Sequence, residues 1–399
     1  MDAAMIDVAR CRAETPGAER VLHFNNAGAG LMPLAVLNVL KEHLDLEAGI
    51  GGYEAADRRR KGIERTYDAI AAYLNCGRDD VAVMENATAA WNQAFFAVAD
   101  RMKPGDRILT AEAEYASNYL TYLKVAASRG VSVEVVPSDA DGVFDVAALE
   151  RMIDDRVALV AVTHVPTNGG LVNPAAEIGR VTRAAGVPYL LDACQSVGQR
   201  VLDVQEIGCD FLTATGRKYL RGPRGTGFLY ARPEMLARFE PPVIDLHSAL
   251  WVASDRLEWA DGARRFENWE FYEAGRIGLG VAVDYMLNVG VPAMEARVAA
   301  LAATLRARLS EVPGVVVRDI GRQKCGITTF TMADHHPQGV KLALSMQGIN
   351  VSTSTEYSTR IDMERRQIAG LVRASVHYYN TEEEIDRFVE AVGKLGRQA

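Results

Sequence analysis

The sequence predicts an α/β protein, with a mostly parallel sheet buried between helices and a smaller α+β domain after it. Three observations carry this expectation. Between Asp79 and Ala231, apolar runs of strand length alternate with helical stretches. Those runs are apolar at consecutive positions rather than at every second one, as strands covered on both faces must be. Polar residues also gather where the runs end, and in an open parallel sheet ligands collect at the carboxyl ends of the strands.

Taken in order, residues 1–20 are expected as a lead-in, loosely held or helical. Val21-Leu-His-Phe24 is a short strand running into Asn25-Asn-Ala-Gly-Ala-Gly30, whose small residues let backbone approach a ligand or another backbone closely. Val36, Val39, Leu40 and Leu44 recur at helical spacing until Gly49-Ile-Gly-Gly-Tyr53 interrupts them, and the charge run Asp57-Arg-Arg-Arg-Lys61 is a solvated helix face. Strand and helix then alternate. Val81–Met84 precedes a helix from about Thr88, Arg107–Thr110 one from about Asn118, Val157–Val162 one from about Pro174, and Pro188–Leu191 one from Gln195 onward. Phe211–Thr215 and Gly227–Ala231 are strands parted by the turn residues Gly222-Pro223 and Gly225.

After Pro241 the pattern loosens through Trp251 to Trp269, and helix resumes over Gly278–Met286. A helix around 292–310, strands at 315–317, 326–330 and 371–377, a helix around 338–347 and a last helix from Glu382 complete the chain. The expected division is a lead-in at 1–20, a large domain at 21–280 and a small α+β domain at 281–399.

A chain of 399 residues suits two domains, and 49% hydrophobic with 24% charged residues is the balance of an ordinary globular protein. The net charge of −8 argues against nucleic acid or an acidic membrane surface as partner. The five cysteines lack CxxC pairs and histidine spacing, so neither a disulfide framework nor a metal site is expected. Acids stand near the start where a signal peptide needs bases, and no apolar run reaches membrane-spanning length, so a cytoplasmic protein is expected.

The chemistry sits at the strand ends. Lys218, in Thr213-Ala-Thr-Gly-Arg-Lys218, lies between a strand and a glycine-rich turn, flanked by Thr215 and Arg217 as anion-binding groups. An amine so placed can form a Schiff base with an aldehyde cofactor. Asn86-Ala87-Thr88-Ala89 stands where strand becomes helix, so backbone N–H groups and the Thr88 hydroxyl can hold a phosphate; alone, Thr88 reads as a helix N-cap. Tyr115 can lay its ring over a flat cofactor. Asp192 ends an apolar strand, where a carboxylate is costly unless it caps the next helix or meets a cation such as a protonated pyridine nitrogen. Gln195 can bond a phenolic oxygen, and Cys194 between them is a small buried side chain.

Phosphate turn, stacking ring, carboxylate and lysine follow one another on consecutive strand ends. With Leu191-Asp-Ala-Cys-Gln195 and Thr213–Lys218, the chain resembles fold-type I pyridoxal-phosphate enzymes of the class-V aminotransferase group, from Asn25 to the Arg373 strand. The resemblance implies a large domain with a mostly parallel seven-stranded sheet, a smaller α+β C-terminal domain and pyridoxal 5′-phosphate (PLP) as cofactor. It also implies an amino-acid substrate and a homodimer with shared sites, Arg264 to Tyr272 falling where the family reaches across the interface. By it Lys218 is the Schiff-base lysine and moves the proton at Cα, Asp192 pairs the pyridine nitrogen, and Gln195 meets the phenolic oxygen. Tyr115 takes the stacking position where desulfurases have histidine, and Thr88, Ala89, Thr215 and Arg217 hold the phosphate. Arg373 clamps the substrate carboxylate, and Asn26, Ala27 and Thr167 lie toward the substrate, Thr167 where many relatives have asparagine.

The group includes cysteine desulfurases, kynureninase-like lyases and isopenicillin N epimerase-like proteins. Desulfurases carry a nucleophilic cysteine on a loop that corresponds to Asn350–Arg360, and that stretch contains none. Gly51-Gly-Tyr-Glu-Ala-Ala, Glu114-Tyr-Ala-Ser-Asn and Arg217-Lys-Tyr-Leu-Arg-Gly-Pro-Arg-Gly-Thr-Gly look most like the branch with the ergothioneine-pathway C–S lyase. The expectation is β-elimination from a cysteine S-conjugate. Transamination and epimerisation are the alternatives, and a non-catalytic scaffold would leave Lys218, Asp192 and Arg373 as buried charges without a ligand.

Overall fold

The computed structural model describes residues 6–396; residues 1–5 of the expected lead-in lie outside them. Seven strands form the central sheet: β1 (Val81–Met84), β2 (Arg107–Ala111), β3 (Ser132–Val136), β4 (Val157–Thr163), β5 (Tyr189–Asp192), β6 (Phe211–Thr215) and β7 (Gly227–Ala231). Their spatial order is β1-β7-β6-β5-β4-β2-β3. Strands β2 to β6 pair in parallel, while β7 runs antiparallel to both β1 and β6.

Every residue of β1, β5, β6 and β7 is buried, which is why these strands are apolar without alternation. Neighbouring residues serve different cores: Leu190 and Phe211 face one cluster with Trp91, Phe95 and Tyr122, whereas Leu191 and Leu212 face another that continues to Leu301, Phe330 and Phe388. Each such side chain contributes roughly 1.5–3 kcal/mol. Strand β3, which the apolar-run pattern does not single out, is the sheet's edge, and Ser132 is exposed with the next three residues half-buried.

Two local expectations are corrected. The helix Ala87–Ala99 is capped by Asn86, whose side chain accepts from the Ala89 N–H at 2.9 Å, so Thr88 is inside the first turn and not the cap. No helix starts at Gln195. The Ala193–Arg200 stretch folds into successive turns because Gly198 takes a φ of +92°, which ends helical propagation.

A hairpin of β8 (Ala249–Ala253) and β9 (Arg256–Trp259) fills the stretch where the pattern loosens. The helix Glu273–Val289 then runs unbroken through the expected boundary at 280/281. A second sheet of β10 (Val315–Val317), β11 (Ile327–Met332), β12 (Ser352–Thr355) and β13 (Gly370–Ser375) is antiparallel throughout, in the order β10-β11-β13-β12. Strand β12 occupies part of what reads as loop. Leu22–His23 pairs in parallel with Ile349–Asn350 and Asn25 bridges to Ser375, which stitches the start of the chain to its C-terminal part and brings Arg373 toward the central strand ends. Among the described residues no single helix is long and apolar enough to cross a membrane.

Candidate active site

The turn after β6 carries Lys218 and is tied down on all sides. Gly216 N–H donates to Thr226 O at 2.9 Å, Arg221 N–H to Lys218 O at 2.9 Å and Gly30 N–H to Arg217 O at 2.9 Å. Two glycines press against it: a Cβ on Gly30 would fall 2.6 Å from Lys218 O, and one on Gly198 would fall 2.2 Å from the Tyr219 carbonyl carbon. Lys218 Nζ lies 6.0 Å from the centre of the Tyr115 ring. Burial, with Arg217 and Arg373 nearby, lowers its pKa below the ordinary lysine value, although Cys194 and Asp192 pull the other way.

Asp192 closes β5 and is buried. Its Oδ1 accepts from Cys194 N–H at 2.8 Å and its Oδ2 from Asn118 Nδ2 at 2.9 Å. The beginning of the helix Ala116–Arg129 supplies both Tyr115, at the N-cap position and 38% exposed, and Asn118. Gln195 donates from Nε2 to Ala27 O at 3.0 Å, and its Oε1 is buried without a partner. Burial pushes the Cys194 thiol well above its usual range.

Arg373, on β13, is buried; it donates to the Thr167 hydroxyl and, at 3.3 Å, to the Thr167 carbonyl, while its Nε has no partner. Thr167 therefore orients the guanidinium, and the adjacent Asn168 amide turns away to Thr359 Oγ1 at 2.9 Å. Thr215 is buried at the end of β6 opposite Gly227, and a Cβ on Gly227 would meet Asn86 and Ala87 backbone at 2.9 and 3.0 Å. The Asn86–Ala89 turn thus abuts Thr215. The Ala89 N–H is spent on its cap, and Arg217 donates to Gly28 O. Asn26 is committed inside the protein: its Nδ2 donates to Ser375 O at 2.7 Å and its Oδ1 accepts from Tyr379 Oη, while Ala27 N–H donates to Ser375 Oγ at 2.9 Å.

Sequence reasoning quoted Glu114 and Asn118 only within a branch motif and passed over Thr163, giving none of the three a role at the site. Glu114 is buried at the end of β2's loop and accepts from Tyr115 N–H at 2.8 Å, Asn118 Nδ2 at 2.9 Å, Thr163 N–H at 3.1 Å and the Thr110 and Thr163 hydroxyls. Glu and Asn four residues apart astride a helix start was the signal available.

The residues fit a pyridoxal group. Asp192 is a buried carboxylate with no ion-pair partner among the described residues, which suits a ring cation, and the Gln195 amide nitrogen, with one hydrogen on Ala27 O, keeps a second that a phenolic oxygen could accept.

The fold and this chemistry are those of fold-type I PLP enzymes. The aminotransferase class-V model matches residues 22–388, and the chain belongs to that family. It is 30% identical over 390 residues to a probable cysteine desulfurase of Methanothermobacter thermautotrophicus, covering 96% of this chain and 97% of that one. The apo structure of a cysteine desulfurase from Thermococcus onnurineus NA1 superposes with a TM-score of 0.92 at 26% identity, covering 100% of both chains. C-DES, a cystine C–S lyase seen with its reaction product cysteine persulfide, shares the fold with a TM-score of 0.85 at 23% identity over 95% of this chain and 99% of that one. The protein is a PLP-dependent class-V enzyme.

Proposed function

We propose that the protein is a C–S lyase that performs β-elimination on a cysteine S-conjugate. The observation that supports this is the Asn350–Arg360 segment, which holds no thiol, while the cysteine nearest the chemistry, Cys194, is kept protonated by burial. A persulfide needs a thiolate acceptor, and neither the segment nor Cys194 offers one.

Bound at this site, PLP supplies an aldehyde for the substrate amine and a ring that accepts electrons from Cα. Lys218 anchors the aldehyde and takes the α-proton; its lowered pKa favours the neutral amine that a base must be. Asp192 holds the ring nitrogen, Gln195 the phenolic oxygen, and Tyr115 covers the ring. Thr88, Thr215, Arg217 and the free N–H groups of the Ala87 turn hold the phosphate. Arg373, oriented by Thr167, takes the α-carboxylate. Asn26 and Ala27 shape the turn beneath the substrate. The C–S bond breaks as the electron pair leaves with sulfur. The released thiol gains a proton, and water hydrolyses the freed 2-aminoacrylate to pyruvate and ammonia.

Purified protein supplied with a panel of cysteine S-conjugates and sulfoxides is expected to release pyruvate in step with thiol or sulfenate. Alanine and enzyme-bound persulfide from cysteine, without pyruvate, would replace this reading by desulfuration.

We further propose a homodimer. Leu250, Trp251 and Leu257 on the β8–β9 hairpin project apolar side chains into solvent, Trp251 being 77% exposed, and a second copy covering them would remove that surface from water. Trp251→Glu is expected to shift the sedimentation mass from dimer to monomer.

A further inference from the structure

We propose that Glu114 is a positioning residue that acts through Asn118 to fix the Asp192 carboxylate beneath the cofactor ring. The inference rests on the reading of Asp192 as the partner of the ring nitrogen. Asn118 Nδ2 stands 2.9 Å from Glu114 Oε1 and 2.9 Å from Asp192 Oδ2. An amide nitrogen carries two hydrogens, one for each carboxylate, whereas the amide oxygen in its place would face two acceptors. Glu114 thereby decides which end of Asn118 meets Asp192. With Cys194 N–H on the other oxygen, Asp192 has one donor per oxygen and a single orientation.

Glu114 is itself immobile, because its donors come from the β2 end (Thr110), the β4 end (Thr163) and the Tyr115 backbone. One carboxylate thus sets the ring-nitrogen partner through Asn118 and the stacking residue through its peptide N–H. The titratable groups facing Glu114 are Asp192 and the phenols of Tyr122 and Tyr189. No lysine or arginine forms an ion pair with it among the described residues. Burial pushes its pKa up to about 7, and Asp192 adds to the rise. Ionised, Glu114 accepts from Asn118 and holds the donor end of that amide on Asp192; protonated, it loosens that hold. By linkage, a ring cation on Asp192 and a charge on Glu114 strengthen one another.

The test is the PLP dissociation constant of the apoprotein, titrated by absorbance between pH 6 and 8.5, for wild type, Glu114→Gln, Asn118→Ala, the double variant and Asp192→Asn. Glu114→Gln is expected to weaken PLP about tenfold at pH 8. It should also flatten the part of the wild-type pH dependence centred near 7. If Glu114 works through Asn118, the double variant binds PLP within about twofold of Asn118→Ala. Wild-type affinity and pH profile in Glu114→Gln, or additive losses in the double variant, would overturn the proposal while leaving Asp192's role intact. Unchanged affinity and ring absorbance in Asp192→Asn would instead overturn the ring-nitrogen reading. Should Glu114→Gln fail to fold, Asn118→Ala alone must lose the pH-dependent component, and a wild-type profile there refutes the idea.

Discussion

The two sides of the candidate site are built on opposite plans. On the acidic side, Asp192, Glu114, Asn118 and Thr163 satisfy one another, and each carboxylate oxygen has a donor at hydrogen-bond distance. On the basic side the Arg373 Nε is buried without a partner, and burial lowers the pKa of Lys218, Arg217 and Arg373 alike. Leaving a buried donor unmet costs about 1–3 kcal/mol, more for a charged one. The difference teaches where ligand atoms are to arrive. On the proposed reading, the acceptors completed by the protein are a mould for the ring, and the donors left waiting would receive the anionic phosphate and the substrate carboxylate.

The largest way to test that contrast is to remove the amine. Lys218→Ala is expected to lose at least about 10²–10⁴-fold in turnover. It should also lose the absorbance band that borohydride fixes to the chain, while the acidic side still binds PLP. Turnover above a tenth of wild type would remove Lys218 from the chemistry.

Next comes the carboxylate clamp. Arg373→Gln should raise KM for the amino acid by roughly 10–100-fold, the equivalent of about 1.5–3 kcal/mol for a hydrogen bond to a charged group. Its PLP affinity should stay unchanged. A loss of PLP rather than of substrate would move Arg373 to the phosphate.

The unmet cations also predict a stability trade. Because burial lowers the pKa of Lys218, the cost of holding its charge is present in full below that lowered value and fades as pH rises toward the ordinary lysine value. Apoprotein carrying Lys218→Met is therefore expected to melt above wild type at neutral pH, with the gap closing in alkaline buffer. A gap that is absent, or that widens with pH, would show that the amine is not held at a cost. Smallest is Thr167→Val, which removes the hydroxyl under Arg373 and should raise KM only a few-fold, since the Thr167 carbonyl still accepts from the guanidinium at 3.3 Å. A kcat effect without a KM effect would separate Thr167 from the clamp.

Much of the fold was legible because burial on both faces leaves consecutive apolar residues, as in Tyr189–Asp192 and Phe211–Thr215. What escaped was half-exposed. Ser132–Val136 is an edge strand, and the 249–259 hairpin shows most of its side chains to solvent, so neither writes an apolar run. The turns at 193–200 were misread as helix because the pattern cannot show that Gly198 is pressed against the Tyr219–Leu220 backbone. At the site, Lys218, Asp192 and Gln195 were visible as chemistry at strand ends. Glu114 and Asn118 were not, because Asn118 meets its second carboxylate 74 positions away, a meeting only the sheet order creates.

The glycine clasp around the lysine turn has a consequence for how the protein opens. With Gly30 and Gly198 filling the space on either side, the turn cannot swing out without parting the strand ends beneath it. The amides of Gly30, Gly216, Arg221 and Gly222, each donating within or onto this turn, should therefore exchange their hydrogens with solvent only through global unfolding. The lysine's backbone is then among the last segments to breathe. The seat of the amine then keeps its shape through every local opening of the protein.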